Sequence, residues 1–296
     1  MTDVIVRPHG PPVHGSDRAA TIRLAAGGSA ANQAAWLAAL GVAVGLVARV
    51  GAADHAQQSA ALAAQGIMPL LAADPELPTG VLVALIDASG ERSFLTDRGA
   101  NAALCRADLP DAARDRAALL HVSGYALFAP GARAAVGDFV AGRGWTVDAS
   151  SAGFLAEAGA ARFLAWTAGA DTLFANADEA ALLAGSDDPA VQLARLAAQY
   201  RCVVVKRGAA GAMAVAAGGA PCVVPAPVVA VRDTTGAGDA FLAGFLAARL
   251  AGADLAGCVA AGVVQGGRAA ALDGGRPPAV RPGQGQCGVE ARHLDL

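Results

Sequence analysis

Asp239 stands directly behind a glycine turn, at the head of an apolar run, in the stretch "RDTTGAGDAFLAGFLAARL" (232–250). From there Phe241, Leu242, Phe245, Leu246 and Leu250 recur at helical spacing, with one stripe to bury. The turn Gly236–Ala237–Gly238 therefore opens a helix. A helix start presents unpaired N–H groups and the positive end of the helix dipole. Such an end binds anions, and bare glycines let a phosphate approach without a Cβ in the way. A carboxylate in that first turn has two readings. It caps the helix, which is its commonest role. Or it takes a proton from a group held beside the anion, which is what phosphorylation of a hydroxyl requires. These residues alone leave both open.

Other chemistries are excluded. No Gly-Lys-Ser/Thr follows the turn, so it is not a P-loop. A dinucleotide fingerprint needs a third glycine where Phe241 or Leu242 stands. Cys105, Cys202, Cys222, Cys258 and Cys287 form no C-x-x-C pair and read as scattered reduced thiols.

The elements that must position Asp239 alternate along the chain. Strand-like runs fall at 44–50, 121–124, 144–150, 171–176 and 200–208, with helical runs at 29–40, 54–66, 131–142, 178–184 and 189–199. Strands alternating with helices imply βαβ units and a mostly parallel sheet. In such sheets ligands bind beyond the carboxyl ends of the strands. Two stretches, 3–24 and 79–97, are β-like without intervening helices. "GVLVALIDASGERSFLTD" (80–97) reads as a hairpin. It is either an edge hairpin or part of a small second sheet that covers the site. Residues 252–272 still look helical, and "DGGRPPAVRPGQGQCG" (273–288) reads as loop or loose tail.

Composition sets the class. The 296 residues suit one large domain, and 55% hydrophobic with 16% charged residues excludes disorder. Basic charge is nearly all arginine, with Lys206 the only lysine, and the net charge of -3 offers no basic surplus for nucleic acid or an anionic membrane. The N-terminus lacks the basic and apolar regions of a signal peptide, and no unbroken apolar run reaches the roughly 18 residues of a membrane span. A cytoplasmic protein is expected.

The string "DTTGAGDAFLAGF" (233–245) resembles the C-terminal signature of the ribokinase family, the PfkB carbohydrate kinases. "GGSAANQAAWLAALG" (27–41) is similar to its N-terminal signature. Further resemblances follow in family order: "ERSFLTDRGAN" (91–101), "HVSGY" (121–125), "LFANADEAALLAG" (173–185) and "VVVKRGAAGA" (203–212). Together they span about residues 2–250.

The resemblance implies a single ribokinase-like α/β domain over 1–296: a Rossmann-type, mostly parallel sheet flanked by helices, with a small β lid from 3–24 and 79–97. It implies transfer of the ATP γ-phosphate, with Mg2+, to an alcohol group of a small sugar or similar acceptor. Asp239 would be the base, and the N–H groups of Gly236, Ala237 and Gly238 the anion hole. Asn176 and Glu179 match the family's N-x-x-E motif, which organises magnesium and phosphate; Asn176 can cap its helix at the same time. Asp3, Gly28, Asn32 and Asn101 match sugar-site positions. Arg98 either meets an acidic or phosphorylated substrate or is an exposed hairpin arginine. Lys206 and Gly208 fall where the family contacts nucleotide, although a strand-end lysine in solvent is equally readable. Asp233 and the Thr235 carbonyl resemble part of a potassium or sodium site, completed from near 269–275.

Serine in "GGSAAN", where ribokinases usually have lysine, points away from ribose. A hexose, a keto-sugar acid or a nucleoside remains open, and a non-catalytic sugar- or nucleotide-binding relict is the rival from another class. Lid-to-lid dimers occur in the family, which leaves a homodimer open. One departure stands out. Family members have a strand before the sugar-site aspartate, yet Met1 lies two residues before Asp3. That first core strand is missing before Asp3, so either the start lies upstream or the sheet has a gap.

Overall fold

The computed structural model describes residues 1–11, 13–87 and 92–278. The chain begins with β1 (Thr2–Pro8), β2 (Ala20–Ala26) and α1 (Ser29–Ala39). A βαβ unit follows: β3 (Val44–Gly51), α2 (His55–Ala63) and β4 (Ile67–Asp74). The hairpin strands are β5 (Thr79–Ile86) and β6 (Arg92–Gly99). Next come α3 (Asp111–Arg116), β7 (Leu120–Ser123), α4 (Pro130–Val140), β8 (Trp145–Asp148), α5 (Ala152–Ala158) and α6 (Ala160–Trp166). Then β9 (Thr172–Asn176), α7 (Ala177–Ala184), α8 (Pro189–Ala197), β10 (Cys202–Lys206), β11 (Ala212–Ala216) and β12 (Cys222–Val224) lead to α9 (Ala237–Leu250) and α10 (Leu255–Ala270).

The strands between β7 and β10 are short and apolar because both of their faces are covered. Val147, Leu173, Val203 and Val205 join one core with α4, α5, α7 and α8, while Phe174 and Val204 join another with α9 and α10. Successive strand residues point to opposite faces, so one run feeds both cores. The parallel strands β8, β9 and β10 end at Asp148, Asn176 and Lys206, and Asn176 and Lys206 are direct partners across the ladder. Their polar ends lie at the sheet's carboxyl edge, where ligands bind in this architecture.

The expected mostly parallel sheet is divided. Six strands run in the order β12-β11-β10-β9-β8-β7, parallel from β7 to β10 and antiparallel through β11 and β12; β3 and β4 form a separate parallel pair. No ladder joins β3 to β7 among the described residues. All four residues of β7 are only half-buried, whereas all four of its inner neighbour β8 are buried.

The two β-like stretches combine in a four-stranded sheet of order β2-β1-β5-β6. Residues directly opposite in a ladder share a face. Leu24, Val4, Val83 and Leu95 therefore form one row across all four strands, and Ile22, Val6 and Leu85 begin a second row on the same face. This outer face leaves Ile22, Leu24 and Leu95 exposed. Asp3 and Leu82 belong to the inner face, which looks onto the site.

The C-terminal stretch is not a loose tail as far as it is described. Residues 273–278 fold back: Gly275 accepts a hydrogen bond from Trp36 Nε1 at 3.0 Å, and Gly274 N–H donates to Asp233 at 3.1 Å. Residues 279–296, with Cys287, lie outside the described residues, as do 88–91 of the hairpin turn. The four described cysteines are free thiols. No described helix is long and apolar enough to cross a membrane.

Candidate active site

The glycine turn is forced by its surroundings. Gly236 is the N-cap of α9 with a left-handed φ of 73°, and a Cβ there would meet the Gly275 backbone at 2.5 Å. No side chain caps this helix, so first-turn N–H groups beyond Ala237 stay available to a ligand. The Ala237 N–H donates to the Thr234 carbonyl at 3.2 Å, so of the three expected anion-hole donors this one is turned into the loop. The Lys206 ammonium lies 3.3 Å from where a Gly238 Cβ would stand. A helix end and a cation therefore converge, and Lys206 is not a solvent-directed strand-end lysine.

Asp239 sits in the first turn, half-buried against α1. Its Oδ1 accepts from Ser29 Oγ at 2.7 Å and Gln33 Nε2 at 3.1 Å, and its Oδ2 from Asn32 Nδ2 at 3.1 Å. Burial pushes its carboxyl from the ordinary 3.8 up to about 6, and the nearby Asp148 carboxylate adds to this. The Ser29 and Asn32 hydrogen bonds and the Lys206 charge hold the rise back. A base that ionises near pH 6 is charged at neutral pH yet basic enough to take a proton.

A network of side chains with little trace in the sequence backs Asp239. The Gln33 amide reaches Ser29 Oγ at 2.9 Å and Asp148 Oδ2 at 2.7 Å, linking two carboxylates. Asp148 also lies 3.2 Å from His121 Nε2 and accepts from Ser150 Oγ. Burial pushes Asp148 up, but His121, Ser150 and Lys206 together hold its carboxyl below the usual range. The polar ending of the strand at 144–150 was the available signal.

Asp3, Gly28, Asn32 and Asn101 line one cavity of about 310 Å³ with Gly236 and Asp239. Two buried polar atoms there have no partner among the described residues: Asp3 Oδ1, an acceptor, and Asn101 Nδ2, a donor. Unmade hydrogen bonds of buried groups are costly, and water or a ligand can make them. Gly27 must be bare, because its Cβ would coincide with the Asp3 carboxylate. Arg98 is half-buried on this wall and donates to the Tyr125 carbonyl at 2.7 Å, so it is not an exposed hairpin arginine. Arg276, unforeseen in the sequence, donates to Asn32 Oδ1 at 3.2 Å and the Gly27 carbonyl at 3.0 Å.

Asn176 and Glu179 start α7 with reciprocal bonds of 2.8 Å, a capping box. Glu179 is buried, and burial raises its pKa while Lys206 opposes the rise. No group of three His, Cys, Asp or Glu side chains able to cage a metal occurs among the described residues. Magnesium keeps much of its water and binds through one or two carboxylates plus substrate phosphates. One buried carboxylate that shares Lys206 as a neighbour with the α9 start fits that pattern. Gly208, just beyond β10, has a left-handed φ of 55° and open space where a Cβ would stand.

Asp233 does not fit a monovalent cation in the same way. Its Oδ1 accepts from the Thr235 N–H at 2.9 Å and from Arg92 at 3.0 Å, and its Oδ2 from the Gly274 N–H. Arg92 also binds the Thr234 and Thr235 hydroxyls. A guanidinium from β6 already matches the charge of Asp233.

The sequence matches the pfkB family carbohydrate kinase description over residues 1–276. Among solved structures, a probable sugar kinase from Rhizobium etli CFN 42 is 25% identical, with 94% of this chain and 92% of that one covered at a TM-score of 0.81. An adenosine kinase from Sinorhizobium meliloti is 26% identical, with 94% and 93% covered and a TM-score of 0.81. A putative ribokinase II from E. coli in complex with ATP and magnesium shares the fold at 22% identity, with 95% and 94% covered and a TM-score of 0.79. No protein with a curated description matches the sequence.

Proposed function

The chain belongs to the pfkB family of carbohydrate kinases, and from that premise we propose that it uses ATP and Mg2+ to phosphorylate a hydroxyl of a small sugar or sugar-like acceptor. The observation that carries this reading is the position of Asp239. It faces the cavity that holds the unpartnered Asp3 and Asn101 atoms, and it stands in the first turn of α9 beside Lys206.

The acceptor enters the cavity, where Asp3 accepts from its hydroxyls and Asn32 and Asn101 supply amides. Asp239 takes the proton of the reacting hydroxyl. The donor phosphates lie at the α9 start, where first-turn N–H groups and Lys206 stabilise the charge of the transferring group. Glu179 and Asn176 would hold the magnesium, which would supply charge neutralisation to the phosphates. Lys206 and Gly208 form the nucleotide side.

A nucleoside acceptor is the second reading. The likeness to an adenosine kinase supports it, as does an apolar cavity wall with Leu46, Leu82, Phe94 and Leu104. A binding relict would have no use for an anion hole and a tuned base together. The apolar outer face of the lid sheet supports a homodimer formed through the lids.

The test is ADP release from ATP and Mg2+ with pools of pentoses, hexoses, sugar acids and nucleosides. Turnover is expected with one pool and lost by about 10²–10⁴-fold in Asp239→Asn. A variant as active as the parent would overturn the mechanism.

A further inference from the structure

Three arginines line the acceptor cavity, and their charges are handled differently. Arg49 is fully engaged, with Asp74 at 2.7 Å and Asp108 at 2.9 Å. Arg98 and Arg276 make no salt bridge with any described residue. Arg98 gives one hydrogen bond, to a backbone carbonyl. Arg276 gives two, to a backbone carbonyl and the Asn32 amide oxygen. Each guanidinium carries five donors. Most of theirs have no partner among the described residues, on a cavity wall that leaves both side chains only partly open to water.

Burial disfavours the charge of both, lowering each pKa from its ordinary value, with only weak opposition from Tyr125 at Arg98 and Asp3 at Arg276. A cation removed from water without a counter-ion is costly, and a fork of N–H donors is shaped for a carboxylate or phosphate. Asp3 and Asp239 face the same space, but neither pairs with an arginine, and both have work at the hydroxyl end of the acceptor.

We propose that the acceptor is an acidic sugar, carrying a carboxylate or phosphate ester that Arg276 and Arg98 bind while Asp3 and Asp239 hold its hydroxyls. This rests on the kinase reading and narrows it. Arg276 also ties the acceptor to chain folding, since it arrives on the returning 273–278 segment and seats against α1.

The test measures binding by calorimetry to the full chain, with a non-hydrolysable ATP analogue and Mg2+. The probes are matched pairs: gluconate and glucose, fructose 6-phosphate and fructose, ribose 5-phosphate and ribose. The first pair reports a carboxylate, the others a phosphate ester. One acidic member should bind at least about tenfold tighter than its neutral partner, and added salt should weaken it. Arg276→Gln and Arg98→Gln should each weaken that member by about 10–100-fold, with partial recovery in Arg276→Lys. The idea is overturned if neutral members bind as tightly as acidic ones, if no acidic member binds, or if both glutamine variants bind the acid as the parent does. Should Arg276→Gln not fold, Arg98→Gln and the salt dependence decide. ADP release, read separately, judges the kinase. Acid-selective binding without turnover sinks the kinase reading alone, and turnover of a neutral sugar with no acid binding sinks this one alone.

Discussion

At Asp239, the environment that raises the carboxyl's pKa also costs stability. Its carboxyl ionises at about 6 in the folded chain against an ordinary 3.8. Between those values the folded chain holds a proton that the unfolded chain has released, so stability falls as pH rises through the window. The ionised group costs up to about 3 kcal/mol at neutral pH. Two outcomes are expected. Turnover should fall about tenfold per pH unit below about 6, as the base becomes protonated. Asp239→Asn should melt higher than the parent at neutral pH, by roughly 2–4 °C per kcal/mol regained, with the gap closing as pH falls toward the ordinary carboxyl value. A melting difference independent of pH would contradict this account. Arg92 makes a second residue-level expectation. Its ion pair with Asp233 stands where a monovalent cation was expected, so turnover should be indifferent to replacing potassium with tetramethylammonium. Arg92→Ala should lose about tenfold or more, with guanidinium or potassium restoring part of it. Many-fold potassium activation of the parent would refute the substitution. Asp239, Asn32, Asn176 and Glu179 can be singled out in the sequence because their signals are local strings, and the roles proposed for them rest on the mutational tests. Arg92 and Arg276 cannot be singled out, because they act 141 and 244 residues from their partners, and only the folded path of a loop brings them there.

At the scale of elements, helical and strand periods placed most of the secondary structure. The lid hairpin shows why a period can also mislead. The run "VLVALI" (81–86) lacks the alternation of a half-buried strand. In the sheet its residues still alternate, with Leu82 and Ala84 toward the cavity and Val81, Val83 and Leu85 outward. Both faces are apolar, so the pattern vanishes from the string. An outward row of Leu24, Val4, Val83 and Leu95 on an exposed sheet is the kind of patch that marks an interface. Light scattering should find a dimer at micromolar concentration and a monomer when Leu24→Arg and Leu95→Arg are combined. A parent that stays monomeric would remove the lid-to-lid arrangement. Short α3, α5 and α6 left little trace, because alanine-rich segments carry weak amphipathic contrast.

At the scale of the whole molecule, Asp239 is set where three bodies meet: the six-stranded sheet with its α9 and α10 cover, the lid sheet, and the β3–β4 pair with α1. The α/β class was legible, since strands alternate with helices. The division between β3 and β7 was harder to read, because hydrogen-bond partners are chosen in space and not along the chain. That division also sets how the molecule breathes. A continuous ladder shares its protection, while two blocks that no ladder joins among the described residues can open separately. Amide exchange should therefore be graded by this boundary. The N–H groups of β8, β9 and β10 should exchange only with global unfolding, and those of β3, β4 and β7 through smaller, earlier openings. Uniform protection from β3 to β10 would mean that the two blocks unfold as one cooperative unit.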